Sequence, residues 1–172
     1  MPDAAALDLG NGPLSYECSY KRTASANGIL MYKGTQAPAL FMGSDGSLAF
    51  QSYAWSGAVE SSVFITDTTW HHVVGTKDAS NNWKIYVEGV DRTTVVASPT
   101  TVNTATDMRF GTDGTYFANR SLDEVAVYSV ALSAATVLAH YNAGPGAGGT
   151  IFTLAVSGSL TSTASVARPE VS

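Results

Sequence analysis

Residues 70–77 read WHHVVGTK, and after the polar residues DASNN the chain continues with WKIYVEG at positions 83–89. Polar and apolar side chains alternate in both stretches, which is the period of a half-buried β-strand. The alternation places two sets of side chains on one face of each strand: Trp70, His72, Val74 and Thr76 in the first, and Trp83, Ile85 and Val87 in the second. Glu88-Gly89 then predicts a tight hairpin into residues 93–97. The whole stretch therefore predicts antiparallel β-structure.

Similar stretches lie on both sides of this one. Tyr16, Cys18 and Tyr20 share one face of residues 15–22, with polar residues between them. The same reasoning predicts strands over residues 29–33, 38–42, 47–53, 59–65, 108–111 and 121–128. Turn residues recur about every 8 to 12 positions, which is typical of β-sandwiches and jelly rolls.

The last part of the chain has a different character. Ser133 is a good N-cap for a short helix over residues 134–141, which Asn142 to Pro145 would end. We expect one domain over residues 1–143, a Gly-rich linker over 144–149, and an extended arm over 150–172. The arm is too short to form its own core, so it could pair with its own sheet, pair with a neighbouring molecule, or stay disordered.

Composition excludes several classes of partner. Charged residues make up 13% of the chain, its net charge is −5, and its nine Lys and Arg are scattered, so we expect no nucleic-acid binding. No run of about 18 apolar residues occurs, and the N-terminal residues have neither a basic nor an apolar region, so we expect neither membrane insertion nor an export signal. The single cysteine, Cys18, is predicted to be a small buried apolar residue.

Two segment pairs carry a family resemblance. Residues 67–74 read DTTWHHVV and precede WKIYVEG, while residues 121–128 read SLDEVAVY and precede ALSAA at 131–135 and HYNAG at 140–144. These segments resemble the laminin G-like (LamG-like) jelly-roll family, which is related to concanavalin A-like lectins and glucanases. The resemblance covers about residues 5 to 144. It departs from the family at Ser19, where similar sequences often carry tryptophan.

The resemblance implies an all-β, two-sheet antiparallel jelly-roll sandwich, to which the chain adds one short C-terminal helix and the extended arm. Retaining glycosidases need two carboxylates on one face, as in the Glu-x-Asp-x-x-Glu pattern of the related glucanases. Asp123 and Glu124 are adjacent and would face opposite sides, while Glu17, Glu60 and Glu88 stand alone. We therefore expect no catalytic residues and no enzyme activity.

Metal binding is a weaker expectation. His71 and His72 are neighbours on a strand, so they would point to opposite faces and could not share an ion without a bulge. His72 is better explained as a hydrogen-bonded structural residue. The resemblance implies a structural calcium ion at Asp123, and Asp8 lies in a suitable early segment. Alternatively, Asp123 accepts hydrogen bonds from loop N–H groups.

Aromatic residues at strand ends and in loops are candidates for binding a glycan, because sugar rings stack on exposed aromatic faces. These candidates are Tyr53, Trp55, Tyr116 and Phe117. The alternative is packing beneath loops or in a contact between subunits. Trp70 and Trp83 are instead predicted to lie in the core.

Two hypotheses for function follow. The first is a non-catalytic structural or display protein of a particle, most plausibly a phage virion decoration or tail component, whose arm contacts neighbouring subunits and whose surface could touch cell-surface glycans. The second is a carbohydrate-binding or adhesion module of a secreted or cell-surface protein. The expected location is accordingly the virion or, alternatively, the extracellular space or cell surface.

Overall fold

A computed structural model describes residues 2–3, 7–10, 12–53, 57–95, 97–115, 117 and 120–144. Within this part of the chain, strands alternate with short turns and a single helix follows the last strand. The strands are β1 (Leu14–Arg22), β2 (Gly28–Tyr32), β3 (Pro38–Met42), β4 (Leu48–Ser52), β5 (Ala58–Ser61), β6 (Trp70–Lys77), β7 (Trp83–Val87), β8 (Val90–Asp91), β9 (Thr93–Val95), β10 (Arg109–Phe110) and β11 (Arg120–Tyr128), and the helix is α1 (Ala134–Ala143).

The strands form two antiparallel sheets, which confirms the predicted jelly-roll sandwich. The five-stranded sheet has the order β11-β1-β6-β7-β8, and the six-stranded sheet has the order β10-β2-β3-β4-β5-β9. β1 therefore lies between β11 and β6, and its Ser19 pairs with Asp123 on one side and His72 on the other. This register decides which polar side chains meet outside the core.

The core lies between the two sheets and is filled by alternate residues of their strands. An aromatic group at its centre joins the sheets: the ring centroids of Tyr16 and Phe50 are 5.7 Å apart, and those of Phe50 and Trp83 are 4.7 Å apart. Gly75 is required opposite this group, because a Cβ there would lie 2.5 Å from the Phe50 ring. The core placement predicted for Trp83, which is 2% exposed, is confirmed.

Cys18 is buried in the same core, as predicted. Burial, together with the nearby charge of Glu17, raises the pKa of its thiol to about 12. The thiol is therefore protonated at neutral pH and packs as a small apolar side chain.

The region after Glu88-Gly89 differs from the prediction. The hairpin forms, but its second strand is the short β8, in which Val90 pairs with Val87. The chain then crosses to the other sheet, where β9 pairs with β5. The predicted strand over residues 93–97 was placed in the wrong sheet, because alternation alone does not show where a strand changes sheets.

The helix begins at the predicted N-cap, where the Ser133 hydroxyl accepts a hydrogen bond from the Thr136 N–H. It packs on the outer face of the five-stranded sheet, where fully buried Val137 contacts a cluster with Val74 and Tyr86. No helix in the described residues is long and apolar enough to cross a membrane. The linker from Pro145 and the arm over residues 150–172 lie outside the described residues.

Candidate functional site

A small, half-open pocket with a cavity volume of about 50 Å³ lies where α1 meets the outer face of the five-stranded sheet. β1, β6, β11 and the β7–β8 turn contribute its polar residues, which include Ser19, His72, Glu88 and Glu124. Trp70 and Tyr141 also line the pocket. The pocket thus combines aromatic side chains with a carboxylate-rich polar lining.

Trp70 and Tyr141 remain accessible to solvent, with 41% and 37% of their surface exposed. The core placement predicted for Trp70 was therefore wrong. Alternation correctly placed Trp70 on the face of His72 and Val74, but that face is the outer one. Its central part is buried only because α1 covers Val74, whereas Trp70 lies at the strand end.

Glu17 connects the sheet to α1 at the base of this region. Its Oε1 lies 2.7 Å from His72 Nε2, and both of its carboxylate oxygens lie 3.0 Å from His140 Nδ1. Burial alone would raise the pKa of Glu17, but hydrogen bonds from His72 and Tyr128, with the charge and hydrogen bond of His140, lower it below its ordinary value. Glu17 is therefore an ionised, hydrogen-bonded acceptor that fastens the helix to the sheet.

Glu88 is positioned by the tight β7–β8 turn. Glu88 and Gly89 have φ angles of 53° and 73°, the left-handed conformations of a two-residue hairpin. Glu88 Oε1 lies 3.1 Å from both the His72 backbone nitrogen and His71 Nδ1. The Tyr141 hydroxyl also donates to Glu88, and this bond and the charge of Glu88 raise the pKa of Tyr141.

A β-bulge brings Glu124 to the pocket. The register of β1 and β11 shifts between Glu17 and Ser19, and Glu124 has a φ of 50°. The Glu124 side chain is exposed, and partial desolvation together with the neighbouring charge of Asp123 raises the pKa of its carboxyl. Simple alternation, which separated Asp123 from Glu124, does not hold at this bulge.

His72 has an unused hydrogen-bonding atom. The residue is 8% exposed, and its Nδ1 is buried without a hydrogen-bond partner. Because the ionised Glu17 carboxylate can only accept, His72 Nε2 carries a proton and donates it to Glu17 Oε1. The predicted structural hydrogen bond of His72 is present, and a second bonding position remains open.

The aromatic residues singled out from the sequence lie elsewhere. The half-buried Tyr53 packs edge-on against Tyr32, with ring centroids 4.8 Å apart, and its hydroxyl donates to Asp113. Phe117 is 70% exposed and forms an isolated bridge with Thr112. Trp55 and Tyr116 lie outside the described residues. The structure thus brings Tyr53 to the loop that precedes Phe117 but shows Tyr53 engaged in internal packing.

The two candidate calcium ligands have different surroundings. Asp8 Oδ1 is buried without a hydrogen bond and lies 3.6 Å from Lys33 Nζ, so an ammonium group already supplies positive charge there. The exposed Asp123 accepts a hydrogen bond from the N–H of Glu124, its neighbour in β11. Within the described residues, no group of three or more His, Cys, Asp or Glu is arranged to hold a metal ion. Calcium binding stays a prediction.

Sequence reasoning missed the convergence of Glu17, Glu88, His140 and Tyr141. The sequence holds one usable signal, because all three histidines fall in the segments that became β6 and α1. The meeting of Glu17 with these histidines depends on the register that pairs β1 with β6 and on the docking of α1. Neither can be obtained from alternation alone.

Sequence comparison is consistent with this architecture. Residues 2–138 match the profile of a family described as the concanavalin A-like lectin/glucanases superfamily. The chain therefore belongs to this laminin G-type family of concanavalin A-like proteins. No curated protein matches the chain.

Solved structures share the fold at low sequence identity. A candidate carbohydrate-binding protein of Bacteroides ovatus is 18% identical with a TM-score of 0.63, and the match covers 78% of this chain and 42% of that one. A Trypanosoma rangeli sialidase solved with sialic acid is 13% identical with a TM-score of 0.60, covering 78% of this chain and 23% of that one. A heptameric SAP-like pentraxin of Limulus polyphemus is 16% identical with a TM-score of 0.54, covering 73% and 68%. The chain thus spans less than half of the first two proteins.

Proposed function

We propose that the protein is a non-catalytic carbohydrate-binding module that holds a glycan in the pocket between α1 and the five-stranded sheet. The observation that carries this proposal is the solvent-accessible pair Trp70 and Tyr141 beside a polar pocket lining. The candidate carbohydrate-binding protein among the structural neighbours supports the same class of ligand.

The residue types suit a sugar ring. The apolar C–H face of a sugar stacks on an aromatic side chain, while its hydroxyl groups need hydrogen-bond partners at fixed positions. Trp70 and Tyr141 offer aromatic surface, and Ser19 and His72 add polar groups to the lining. Glu124 adds carboxylate oxygens at the lining.

The hydrogen bonding of the carboxylates argues against glycoside hydrolysis. A glycosidase needs one protonated acid and a second carboxylate free to act as nucleophile or base. The raised pKa of Glu124 suits an acid, but Glu17 is buried and bound by His72, His140 and Tyr128. Glu88 is likewise bound by His71, His72 and Tyr141. Neither is free to attack a substrate, so binding without turnover is the function that this arrangement favours.

An immobilised oligosaccharide panel probed with the full chain would test the proposal. We expect Trp70→Ala to weaken binding of any recognised glycan by on the order of tenfold or more, because an aromatic stacking surface is lost. Reducing-end assays on the bound glycan should show no hydrolysis.

Phe117→Ala is the matched control, since Phe117 is another exposed aromatic residue but does not line the pocket. Loss of binding in Phe117→Ala with full binding in Trp70→Ala would move the glycan site to the loop predicted from the sequence. Hydrolysis that Glu124→Gln abolishes would contradict the non-catalytic assignment.

We propose, more specifically, that the protein is displayed on a phage particle. The alternative is that it is a module of an extracellular or cell-surface protein. This proposal is based on residues 150–172, which we expect to form an extended arm that contacts neighbouring subunits. Light scattering of the full chain and of a form lacking residues 150–172 would test it. A defined oligomer that becomes monomeric on truncation supports the assembly role, and two monomers contradict self-assembly.

A further inference from the structure

We infer that the ammonium group of Lys33 takes the place of a metal ion in an oxygen-lined site beside the six-stranded sheet. Lys33 directly follows β2, and its Nζ contacts Asp3 and Asp8 near the N-terminus and the loop over residues 104–106. The site is separate from the glycan pocket, which lies on the five-stranded sheet, so the inference does not depend on the proposed function.

Four oxygen atoms surround Lys33 Nζ, and all are of the kinds that bind hard metal ions. They are the carbonyl oxygens of Thr104 and Thr106 at 2.9 and 2.6 Å, Asp3 Oδ1 at 2.5 Å and Asp8 Oδ1 at 3.6 Å. Carboxylate and backbone carbonyl oxygens are the ligands that Ca²⁺ takes in proteins. The Lys33 ammonium group is therefore bound by a set of atoms that also suits a metal cation.

The burial of Lys33 resembles that of a structural ion. Its side chain is 3% exposed, whereas the side chains of Asp3 and Asp8 are 32% and 30% exposed. Lysine is seldom fully buried unless it is paired, because the ammonium group loses its hydration. The oxygens around Nζ offset this loss, and in doing so they join three separate segments of the chain.

Asp8 provides an independent observation. Its Oδ1 is buried and, among the described residues, makes no hydrogen bond. An ammonium group has three N–H donors, and Asp3, Thr104 and Thr106 accept all three. A calcium ion takes about six to eight oxygen ligands and would leave a place for Asp8. The site thus holds one more oxygen than the lysine can satisfy.

The backbone at Gly34 permits the close approach of the loop. Gly34 has a φ of 131°, and a Cβ there would lie 2.5 Å from Thr104 Oγ1 and 2.8 Å from Thr106 Oγ1. The Thr104 hydroxyl also donates to the Lys33 carbonyl oxygen, at 2.6 Å. The glycine therefore lets the loop place two of its carbonyl oxygens on Nζ.

The calcium ion predicted from the sequence at Asp8 would compete with Lys33 for the same oxygens. Two carboxylates carry two negative charges, and the ammonium group balances one of them. Removal of the ammonium group would leave space, oxygen ligands and a charge that suits a divalent ion. Loss of the Lys33 side chain should therefore turn this site into a calcium site.

Thermal unfolding of the full chain, in EDTA and in millimolar calcium, would test the inference. In EDTA, Lys33→Ala should lower the midpoint by about 5 °C or more, because buried carboxylate oxygen loses its partner. Calcium should restore at least about half of this loss in a saturable way, since it binds the folded state. Calcium should shift the midpoints of wild type and Asp8→Asn equally, because Lys33 already holds the oxygens.

Two variants are matched controls. Lys33→Met also lacks the ammonium group, but its long side chain fills the space that an ion would need, so calcium should not restore its midpoint. Lys84→Ala has the same net charge as Lys33→Ala and loses only an exposed ion pair with Asp91. Calcium should affect Lys84→Ala no more than it affects wild type.

Three results would overturn the inference. The first is an equal response of Lys33→Ala and either control variant to calcium. The second is a Lys33→Ala chain that stays unfolded in both conditions, because the site would then need more than a cation. The third is calcium that stabilises wild type but not Asp8→Asn, which would show that calcium and not Lys33 holds these oxygens.

Discussion

Two groups of aromatic residues on this sandwich have similar compositions and different surroundings. At the six-stranded sheet, Tyr53 packs against Tyr32 and its hydroxyl is bound by Asp113, while Phe117 is 70% exposed. At the five-stranded sheet, Trp70 and Tyr141 stand beside a pocket lined by His72, whose buried Nδ1 has no hydrogen-bond partner.

The difference shows what makes an aromatic group a candidate binding site. Phe117 is the most exposed of these side chains, yet exposure alone provides no polar contact to orient a ligand. The pocket is formed where α1 rests on the sheet, and its polar groups come from several elements. Concavity and unsatisfied hydrogen-bonding capacity therefore distinguish the two groups better than aromatic content does.

The largest effect on stability is expected from replacing one of the two described tryptophans, and the other should have a much smaller effect. Trp83→Ala removes a fully buried ring from the core and should lower the free energy of unfolding by about 3–5 kcal/mol. Trp70→Ala should lower it by less than about 1 kcal/mol, because Trp70 is 41% exposed. Urea unfolding followed by circular dichroism measures both. Equal losses of stability would indicate that Trp70 is a core residue and does not line the pocket.

The next effect concerns the attachment of α1. Glu17→Gln should lower the free energy of unfolding by about 2–3 kcal/mol at pH 7, because buried hydrogen bonds from His72, His140 and Tyr128 lose their charged acceptor. The exposed Glu60→Gln is the control and should change it by less than about 0.5 kcal/mol.

The same pair predicts a pH dependence. The folded-state pKa of Glu17 lies below its ordinary value of 4.5, so its contribution to stability is present above that value and is lost as the pH falls through the folded-state pKa. The stability gap between wild type and Glu17→Gln should therefore narrow on acidification. A gap that is constant from pH 7 to pH 3 would contradict an ionised Glu17.

A smaller effect is expected at the turn that holds Glu88. Gly89 has a φ of 73°, and a Cβ there would lie 2.9 Å from Leu138 Cδ1 and 3.1 Å from Tyr141 Cβ. Gly89→Ala should cost about 1–2 kcal/mol and weaken glycan binding by displacing α1. Gly12→Ala, where no atom lies within 4 Å of the new Cβ, should leave both nearly unchanged. Equal behaviour of the two variants would argue against close packing between turn and helix.

The smallest effect is a gain in stability on replacing Glu124. The raised pKa of Glu124 means that its ionised form is disfavoured in the folded state, so this penalty is absent below the ordinary value of 4.5 and develops as the pH rises through the folded-state pKa. Glu124→Gln should therefore be slightly more stable than wild type at pH 7 and equal to it at low pH. Thermal unfolding at both pH values measures the difference, and destabilisation at pH 7 would contradict the repulsion assigned to Glu124.

Much of the fold could be predicted because local patterns determine it. The alternation in residues 15–22 and 70–77 produced real strands, and Ser133 is the N-cap that its residue type indicated. Glu88-Gly89 forms the tight turn that its position between two strands predicted. Each of these features depends on neighbouring residues, which the sequence shows directly.

The pocket could not be predicted in the same way. Alternation shows that Trp70 and His72 share a face but not whether that face is inner or outer. Because α1 buries part of the outer face, the apolar residues there follow the same pattern as core residues. The bulge at Glu124 and the pairing of Ser19 with His72 depend on register between strands far apart in the chain. These long-range choices bring the acidic and histidine side chains together.

The most direct test of the glycan pocket is to follow ¹H–¹⁵N NMR shifts of the full chain during titration with a glycan identified on the panel. We predict that the largest shifts are those of the Trp70 indole N–H and the backbone N–H groups of His72, Glu88, Glu124 and Tyr141, with Phe117 unchanged. Shifts concentrated at Tyr53, Asp113 and Phe117, with an unperturbed Trp70, would contradict the central claim.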